Sequence, residues 1–211
     1  SSSRRRGSWK SDVSRFIALS NFARSKFIEG GLPEQKIVVK PNFVVDPGFN
    51  FIRSHDERSG ALYVGRLCEE KGVEVLVRAW TMLNGVPLRI VGDGPLREEL
   101  QRHAPQNVTF LGALKSQQVT GEMMSAKLLI LPSTCYEGFP ATLAEAYACG
   151  LPVLASDIGS LSELIEPGVT GAYVPPGDAA ALAEKARVLF ASRDSLGLMS
   201  VAARQRYEAL Y

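Results

Sequence analysis

The sequence predicts an α/β protein built on a doubly wound parallel sheet. From Ser59 onward, short apolar runs alternate with segments whose apolar residues recur at helical spacing, the order expected of strand–helix–strand units. The run at residues 128–131 is apolar at every position, as expected of a strand covered on both faces. We place Pro140 at the first position of the helix that follows, because its missing N–H would have no partner there.

The elements follow in order along the chain. Before the main sheet we predict a strand at residues 13–19, a helix that Ser20 caps and that ends near Gly30, and a strand at residues 36–40. The strands of the main sheet are predicted at residues 61–64, 88–91, 108–111, 128–131, 152–155 and 171–174. Helices are predicted at residues 71–84, up to about 103, and at 116–125, 141–149, 162–165, 178–191 and 193–211. This order divides the chain into a flexible start at residues 1–12, a lead-in at 13–54 and a main domain at 55–211.

Composition excludes several classes of function. With 45% hydrophobic and 22% charged residues among 211, the chain can bury one good core. A net charge of +2 is too small to indicate a nucleic-acid partner. The basic cluster at residues 4–6 could make a peripheral contact with an anionic membrane surface, although a solvated or disordered chain end is the favoured interpretation.

Cysteines and apolar runs bear on localisation. The three cysteines are odd in number and lack the spacing of a metal site, so we expect reduced and mostly buried thiols. The sequence shows no apolar run of about 18 residues and no secretory signal. We therefore expect a cytoplasmic protein, associated at most with the inner face of the membrane. The two histidines, His55 and His103, lie in no triad or metal spacing and are expected to be incidental.

Two carboxylates flank the predicted strand-to-helix turn. Glu137 and Gly138 lie on the turn, and Glu145 lies about a turn and a half into the helix, so it can face the same crevice. Ligands bind at such turns because the helix N-terminus offers unbonded N–H groups and partial positive charge. A nucleotide sugar suits this layout, with phosphates on the helix N-terminus and hydroxyls donating to the carboxylates. Taken alone, two such residues favour a simpler interpretation, in which Glu137 is a turn residue and Glu145 a solvated helix residue.

The wider motif carries a family resemblance. Residues 137–145, Glu-Gly-Phe-Pro-Ala-Thr-Leu-Ala-Glu, together with Cys-Gly-Leu-Pro-Val at 149–153, resemble the Glu-x7-Glu signature of retaining glycosyltransferases of family 4 (group 1). The resemblance implies a GT-B fold, of which this chain would be the Rossmann-like C-terminal half, with residues 13–54 as hinge and closing elements of a missing N-terminal domain. The chain departs from the usual motif at Pro140, where Gly is usual, and at Tyr147, where Met is common.

A second motif follows the first strand of the main domain. Between Gly65 and Gly72, the cations Arg66 and Lys71 lie where a loop becomes a helix, and this loop is expected to neighbour the central turn. Paired cations suit paired phosphates, and they would stabilise the charge of a departing nucleoside diphosphate. The alternative is a pair of solvated cations, with Lys71 paired to a neighbouring Glu. The stretch resembles the family's Val-Gly-Arg-Leu-x-x-x-Lys-Gly diphosphate site, which favours the functional interpretation.

Further ligand contacts are expected in neighbouring loops. Gly92 and Gly94 form a Gly-x-Gly-Pro turn that allows close approach to a nucleotide, although a purely structural turn is nearly as well supported. The resemblance places Phe110 and Leu111 where the family holds the base through backbone groups. The predicted ligand-binding residues are Gly65, Arg66, Lys71, Gly92, Gly94, Phe110, Leu111, Glu137, Gly138, Phe139, Pro140, Leu143 and Glu145, and Glu137, Arg66 and Lys71 are the predicted catalytic residues.

The resemblance implies transfer of a hexose-type sugar from a nucleoside diphosphate to a glycan or lipid-linked acceptor, without a cofactor or an essential metal. Glu137 would hold sugar hydroxyls and support oxocarbenium charge, and Glu145 would hold the ribose. Because the resemblance implies that the acceptor half lies outside this chain, we expect the chain alone to bind donor without transferring it. A non-catalytic nucleotide- or glycan-binding module is the alternative. A dinucleotide-dependent oxidoreductase is disfavoured, because Gly65-Arg66-Leu67 does not open the required G-x-G-x-x-G motif.

Overall fold

A single parallel sheet forms the body of the protein. The computed structural model describes residues 11–48 and 55–210, so the basic cluster at residues 4–6 lies outside the described residues. The strands are β1 (Phe16–Ala18), β2 (Ile37–Val39), β3 (Ala61–Val64), β4 (Leu88–Val91), β5 (Val108–Gly112), β6 (Leu128–Leu131), β7 (Val153–Ser156) and β8 (Gly171–Val174). Strands β3 to β8 form a six-stranded parallel sheet in the order β5-β4-β3-β6-β7-β8, which confirms the predicted fold class.

Helices cover both faces of this sheet. They are α1 (Asn21–Glu29), α2 (Val73–Thr81), α3 (Arg97–His103), α4 (Ser116–Ser125), α5 (Ala141–Ala148), α6 (Leu161–Leu164), α7 (Ala179–Ala191) and α8 (Arg193–Leu210). Within β6, Leu128 and Ile130 belong to the core layer of α2 and α7, whereas Leu129 and Leu131 belong to the layer of α5. Both layers are buried, which explains why β6 is apolar at every position.

A small unit precedes the main sheet. β1 and β2 pair in parallel, and α1 connects them. Ser20 caps α1 as predicted, since its side-chain oxygen accepts a hydrogen bond from the N–H of Ala23. Both strands are shorter than predicted, because only residues 16–18 and 37–39 pair with each other. Within the described residues, no helix combines the length and the apolar composition needed to cross a bilayer.

Two helix starts differ from the prediction. We predicted a helix from Lys71, but Glu69–Lys71 forms a 3₁₀ turn and α2 begins at Val73. Gly72, which separates the two, has a φ of 66°, and this left-handed conformation interrupts the helix. Pro140 is the N-cap of α5 rather than its first residue, because its ψ of 120° is extended.

Buried polar side chains fix the C-terminal end of α5. Arg58 donates hydrogen bonds to the carbonyl oxygens of Cys149 and Gly150, each at 2.9 Å. Arg204 donates to the carbonyl oxygen of Ala148 at 2.6 Å. Carbonyl groups at the end of a helix have no partner within it, and here both arginines are buried against them. The far end of α5 is therefore anchored, which fixes the helix whose other end carries the predicted site.

Replacing Arg58 by Met removes both of these hydrogen bonds while keeping a long apolar stem. We expect the free energy of unfolding to fall by about 2–4 kcal/mol, because buried carbonyl groups lose charged donors. Chemical denaturation measures the change. The exposed Arg102→Met on α3 is the matched control, with an expected change within about 0.5 kcal/mol. Equal losses in the two variants would contradict the anchoring role of Arg58.

Candidate functional site

The predicted site lies at the carboxyl edge of the sheet. β3 and β6 are neighbours in the sheet although β4 and β5 lie between them in the sequence, so the strand order reverses there. In open α/β sheets, the loops after two such strands leave a crevice in which ligands bind. The loop after β3 carries Gly65, Arg66 and Lys71, and the loop after β6 carries Glu137 and Gly138. The topology therefore brings the two predicted motifs to one crevice.

Glycines allow these loops to approach each other closely. A Cβ on Gly72 would lie 1.9 Å from the carbonyl oxygen of Pro132, so no other residue permits this approach of the loops after β3 and β6. A Cβ on Gly92, in the loop after β4, would lie 1.9 Å from the carbonyl oxygen of Gly65. The N–H of Gly65 also donates a hydrogen bond of 3.0 Å to the carbonyl of Val91. Three loops therefore form one connected rim around the crevice.

Lys71 and Glu137 form the polar centre of this rim. The Nζ atom of Lys71 lies 2.8 Å from each carboxylate oxygen of Glu137, and the hydroxyl of Ser133 donates to Oε1 at 2.6 Å. The Lys71 and Glu137 side chains are 34% and 15% exposed, so the pair is partly open to solvent. Lys71 therefore pairs with Glu137 and not with the adjacent Glu69 or Glu70. The carboxylate can occupy two of the three N–H donors of the ammonium, which leaves at least one that can turn to a ligand.

Arg66 lies on the same rim, and its side chain is exposed. Its main chain is held by Tyr63, whose hydroxyl donates a hydrogen bond of 2.8 Å to the carbonyl of Arg66. Burial raises the pKa of Tyr63, so this hydroxyl stays protonated and remains a donor. Among the described residues, the guanidinium of Arg66 makes no hydrogen bond or ion pair. Its planar set of donors is therefore available to an anionic ligand.

The acidic turn, residues 137–140, leads into α5. Gly138 is exposed, whereas Phe139 and Pro140 are buried. Because α5 follows β6, its N-terminus lies at the carboxyl edge of the sheet, where the helix dipole favours an anion. The side chain of Leu143 is fully buried in the core beneath the turn, so any ligand contact there would involve main-chain atoms.

Glu145 is half-buried on α5, and burial raises the pKa of its carboxyl group. Within the part of the chain that the structure describes, its carboxylate accepts no hydrogen bond and forms no ion pair. A partly desolvated carboxylate without donors costs stability, and groups perturbed in this way are concentrated at functional sites. The structure therefore leaves Glu145 able to accept hydrogen bonds from a ligand.

The remaining predicted residues lie in the loop after β4 and within β5. Gly92 and Gly94 are in the loop that packs against the loop after β3. Phe110 and Leu111 are half-buried in β5, one strand further from the centre of the sheet than β4. Among the described residues, none of these four makes a hydrogen bond to the Lys71–Glu137 pair.

Ser133 is the residue of the site that sequence reasoning missed. Its side chain is 2% exposed, and its hydroxyl orients the carboxylate of Glu137. The available signal was a hydroxyl residue just after the central strand β6, four positions before Glu137. A hydroxyl donor that fixes one carboxylate oxygen restricts the rotation of the carboxylate and prepares its other oxygen for a ligand.

The cysteines and histidines lie apart from this chemistry. All three cysteines are free; Cys68 and Cys149 are buried and Cys135 is exposed, which agrees with the expectation of mostly buried thiols. His103 is exposed on α3, and the side chain of His55 lies outside the described residues. No group of three or more His, Cys, Asp or Glu side chains in the described part of the chain is arranged to hold a metal ion.

Known proteins resemble this chain in sequence. Residues 58–192 match the family described as Glycosyl transferases group 1. An uncharacterised glycosyltransferase of Methanocaldococcus jannaschii is 36% identical over 138 residues, which cover 60% of this chain and 35% of that protein. The amylovoran biosynthesis glycosyltransferase AmsK of Erwinia amylovora is 31% identical over 184 residues, which cover 79% of this chain and 45% of that protein. The chain thus spans less than half the length of these relatives.

The fold has a close counterpart among solved structures. The crystal structure of HepE from Anabaena, in complex with UDP and glucose, aligns with a TM-score of 0.83 at 23% identity, over 94% of this chain and 59% of HepE. At that level of identity the likeness concerns the fold. The family match covers well over half of the residues, and the sheet order agrees with it. The chain therefore belongs to the family Glycosyl transferases group 1, and its six-stranded sheet is a Rossmann-like domain of the GT-B fold.

Proposed function

We propose that this chain is the donor-binding domain of a retaining glycosyltransferase that transfers a hexose-type sugar from a nucleoside diphosphate to a glycan or lipid-linked acceptor. The observation that carries the proposal is the ion pair between Lys71 and Glu137, located where the strand order reverses. A cation and a carboxylate in one crevice match the two chemical parts of a nucleotide sugar, its phosphates and its hydroxyls. The family membership supports the same class of reaction.

Arg66 and Lys71 would bind the diphosphate. When the bond between the anomeric carbon and the phosphate oxygen breaks, its electron pair moves to the oxygen and negative charge grows on the leaving group. Cations at that position stabilise the transition state more than the ground state, which is the requirement for catalysis. Lys71 can do this while it stays bonded to Glu137, by using its remaining N–H donor. The scheme needs no metal, because the two cations and the N-terminus of α5 supply the positive potential.

Glu137 and Glu145 would divide the hydroxyl-bearing ends of the donor between them. Glu137 would accept hydrogen bonds from the sugar and support the positive charge that develops at the anomeric carbon. Ser133 and Lys71 hold its carboxylate in one orientation for that task. Glu145 would accept hydrogen bonds from the ribose, which would replace the water lost when its carboxyl group is buried.

Retention would follow if the acceptor hydroxyl attacks from the face that the phosphate leaves, with a diphosphate oxygen taking the proton. Because the chain covers less than half the length of its relatives, we propose that the acceptor is held by a part of the enzyme outside it. Transfer needs both reactants within near-attack distance, so we expect the chain alone to bind donor and at most to hydrolyse it slowly.

Saturation-transfer NMR with a panel of UDP-, GDP- and ADP-sugars tests the proposal on the purified chain. Binding of one nucleotide class together with its sugar conjugate supports it, and UDP is the first probe because HepE was crystallised with UDP. Binding of a free glycan without any nucleotide would favour the non-catalytic module instead. Failure to bind any nucleotide or nucleotide sugar of the panel would contradict the proposal.

Removing either cation tests the diphosphate assignment. We expect Arg66→Ala and Lys71→Ala each to weaken binding of the nucleoside diphosphate about tenfold or more, because each loses a charged hydrogen bond. Isothermal titration calorimetry measures the dissociation constants. Arg102→Ala, an exposed change on α3, is the matched control and should leave the affinity unchanged. Unchanged affinity in both Arg66→Ala and Lys71→Ala would contradict the proposal that these two cations bind the diphosphate.

Glu145→Gln should stabilise the unliganded chain although it weakens ligand binding. Burial raises the pKa of Glu145 above its ordinary 4.5, so the charged form costs stability at neutral pH, and this cost disappears as the pH falls below 4.5. We expect the melting temperature to rise at pH 7.5 and the gain to shrink toward pH 4.5. Differential scanning calorimetry at both pH values measures it.

The exposed Glu166→Gln is the matched control for the calorimetry, since it removes one carboxylate without a burial change. Its melting temperature should stay close to that of the original chain at both pH values. A loss of stability in Glu145→Gln at pH 7.5 would show that the Glu145 carboxylate has a partner that supports the fold, and it would contradict the assignment of this group to a ligand.

A further inference from the structure

The unit that precedes the main sheet contacts the acidic turn directly. Ser20, at the start of α1, and Asn42, after β2, each donate a side-chain hydrogen bond to a main-chain carbonyl of the turn. The acceptors are the carbonyl oxygens of Gly138 and Phe139, both at 2.9 Å. The donors thus come from chain positions 118 and 97 residues away, and they reach two successive peptide groups beside Glu137.

Ser20 joins two elements with a single hydroxyl group. Its oxygen accepts a hydrogen bond of 3.1 Å from the N–H of Ala23, and its O–H donates to the carbonyl of Gly138. The side chain is 2% exposed, so water does not compete freely with either bond. A hydroxyl has one donor, and that donor is used on the acidic turn. The start of α1 and the turn are therefore held in a fixed relation.

Two carbonyl bonds fix the path of the turn because peptide groups are planar. Fixing the carbonyl of Gly138 also fixes the direction of the N–H that follows it, and fixing the carbonyl of Phe139 fixes the plane that leads into Pro140. Pro140 is the N-cap of α5, so the second bond also sets how the chain enters that helix. The position of Glu137 depends on both planes, because Gly138 itself is exposed and its neighbourhood leaves room for other paths.

Other contacts hold α1 in place beside the turn. The carboxylate of Glu163, near the end of α6, accepts hydrogen bonds from the N–H groups of Asn21 at 3.0 Å and Phe22 at 2.8 Å. The ring of Phe22 packs edge-on against Tyr136, the residue before Glu137, with centroids 5.0 Å apart. The N-terminus of α1 is thus bonded to the main domain on one side and to the turn on the other, which makes it a firm support for Ser20.

We propose that Ser20 and Asn42 are positioning residues that set the geometry of the acidic turn and, through it, the preference of the site for a nucleotide sugar over the free nucleotide. The inference rests on the proposed function. Arg66 and Lys71, on the loop after β3, would bind the diphosphate in either ligand, whereas only the turn would meet the sugar. Disturbing the turn should therefore remove the affinity that the sugar adds and spare the affinity for the diphosphate.

Substitutions can separate this role from the helix cap. Ser20→Asp keeps a cap acceptor for the N–H of Ala23 but has no donor for the carbonyl of Gly138 at neutral pH. Ser20→Thr keeps both the acceptor and the donor. Asn42→Asp keeps the size of the side chain but likewise loses the donor. A role confined to capping predicts that neither Ser20 variant changes the preference between the two ligands, whereas the positioning role predicts that Ser20→Asp changes it and Ser20→Thr does not.

Two readouts on the 211-residue chain test the inference. The first is the ratio of dissociation constants for the best nucleoside diphosphate and its sugar conjugate from the NMR panel. We expect the ratio to fall about three- to tenfold in Ser20→Asp and Asn42→Asp, as for loss of one hydrogen bond, with the affinity for the diphosphate within about twofold. The second, which needs no ligand, is hydrogen exchange of the amides of residues 138–144 other than Pro140, which should accelerate in the same two variants and not in Ser20→Thr.

The outcomes distinguish this inference from the proposed function. Equal weakening of both ligands, or an unchanged ratio in both Asp variants, overturns the positioning role in sugar preference. If the original chain binds no nucleotide at all, the proposed function fails, and the exchange data alone then decide whether Ser20 and Asn42 position the turn. Unchanged exchange of residues 138–144 in both Asp variants overturns the positioning role whether or not a ligand binds.

Discussion

The ion pair between Lys71 and Glu137 joins the loop after β3 to the loop after β6, and the architecture of the site depends on it. It can form only because β3 and β6 are neighbours in the sheet and because Gly72 lets the loops approach within contact of Pro132. The pair leaves a cation and a carboxylate at the same opening, with Arg66 exposed on the same rim. A ligand with adjacent phosphate and hydroxyl groups would complement this arrangement.

The surrounding structure supports this opening from three sides. Ser133 holds the carboxylate of Glu137 from below, and Ser20 and Asn42 hold the turn from the preceding unit. At its other end, α5 is anchored by Arg58 and Arg204. Within these supports the carboxyl group of Glu145 has a raised pKa, and it forms no hydrogen bond or ion pair among the described residues. The residues around the opening are thus held by hydrogen bonds, whereas the carboxylate of Glu145 is not. Such an unsatisfied group is expected at a binding site.

The sequence predicted the sheet well because a buried parallel strand such as β6 needs apolar residues on both faces, and that demand is local. It placed the start of α2 wrongly, because the left-handed conformation of Gly72 follows from its contact with Pro132, which is distant in sequence. The sequence did assign Lys71 and Glu137 to one crevice. It did not predict that they pair, because the two residues are 66 positions apart and their contact depends on how the two loops pack. Ser133 was missed since a single hydroxyl residue carries no periodic or spacing signal.

A double-mutant cycle of Lys71→Met and Glu137→Gln, read as the dissociation constant of the nucleoside diphosphate, tests most directly whether the pair acts as one unit. Lys71→Met alone leaves an unpaired carboxylate facing the phosphates, so we predict that it weakens binding more when Glu137 is present than in the Glu137→Gln background. Glu137→Gln alone should leave binding equal or tighter, because its neutral amide oxygen can still accept a hydrogen bond from Lys71 and keep the loops joined, while the negative charge near the phosphates is removed. Coupling of at least about 0.5 kcal/mol is the expected result. Equal effects of Lys71→Met in both backgrounds would contradict the account.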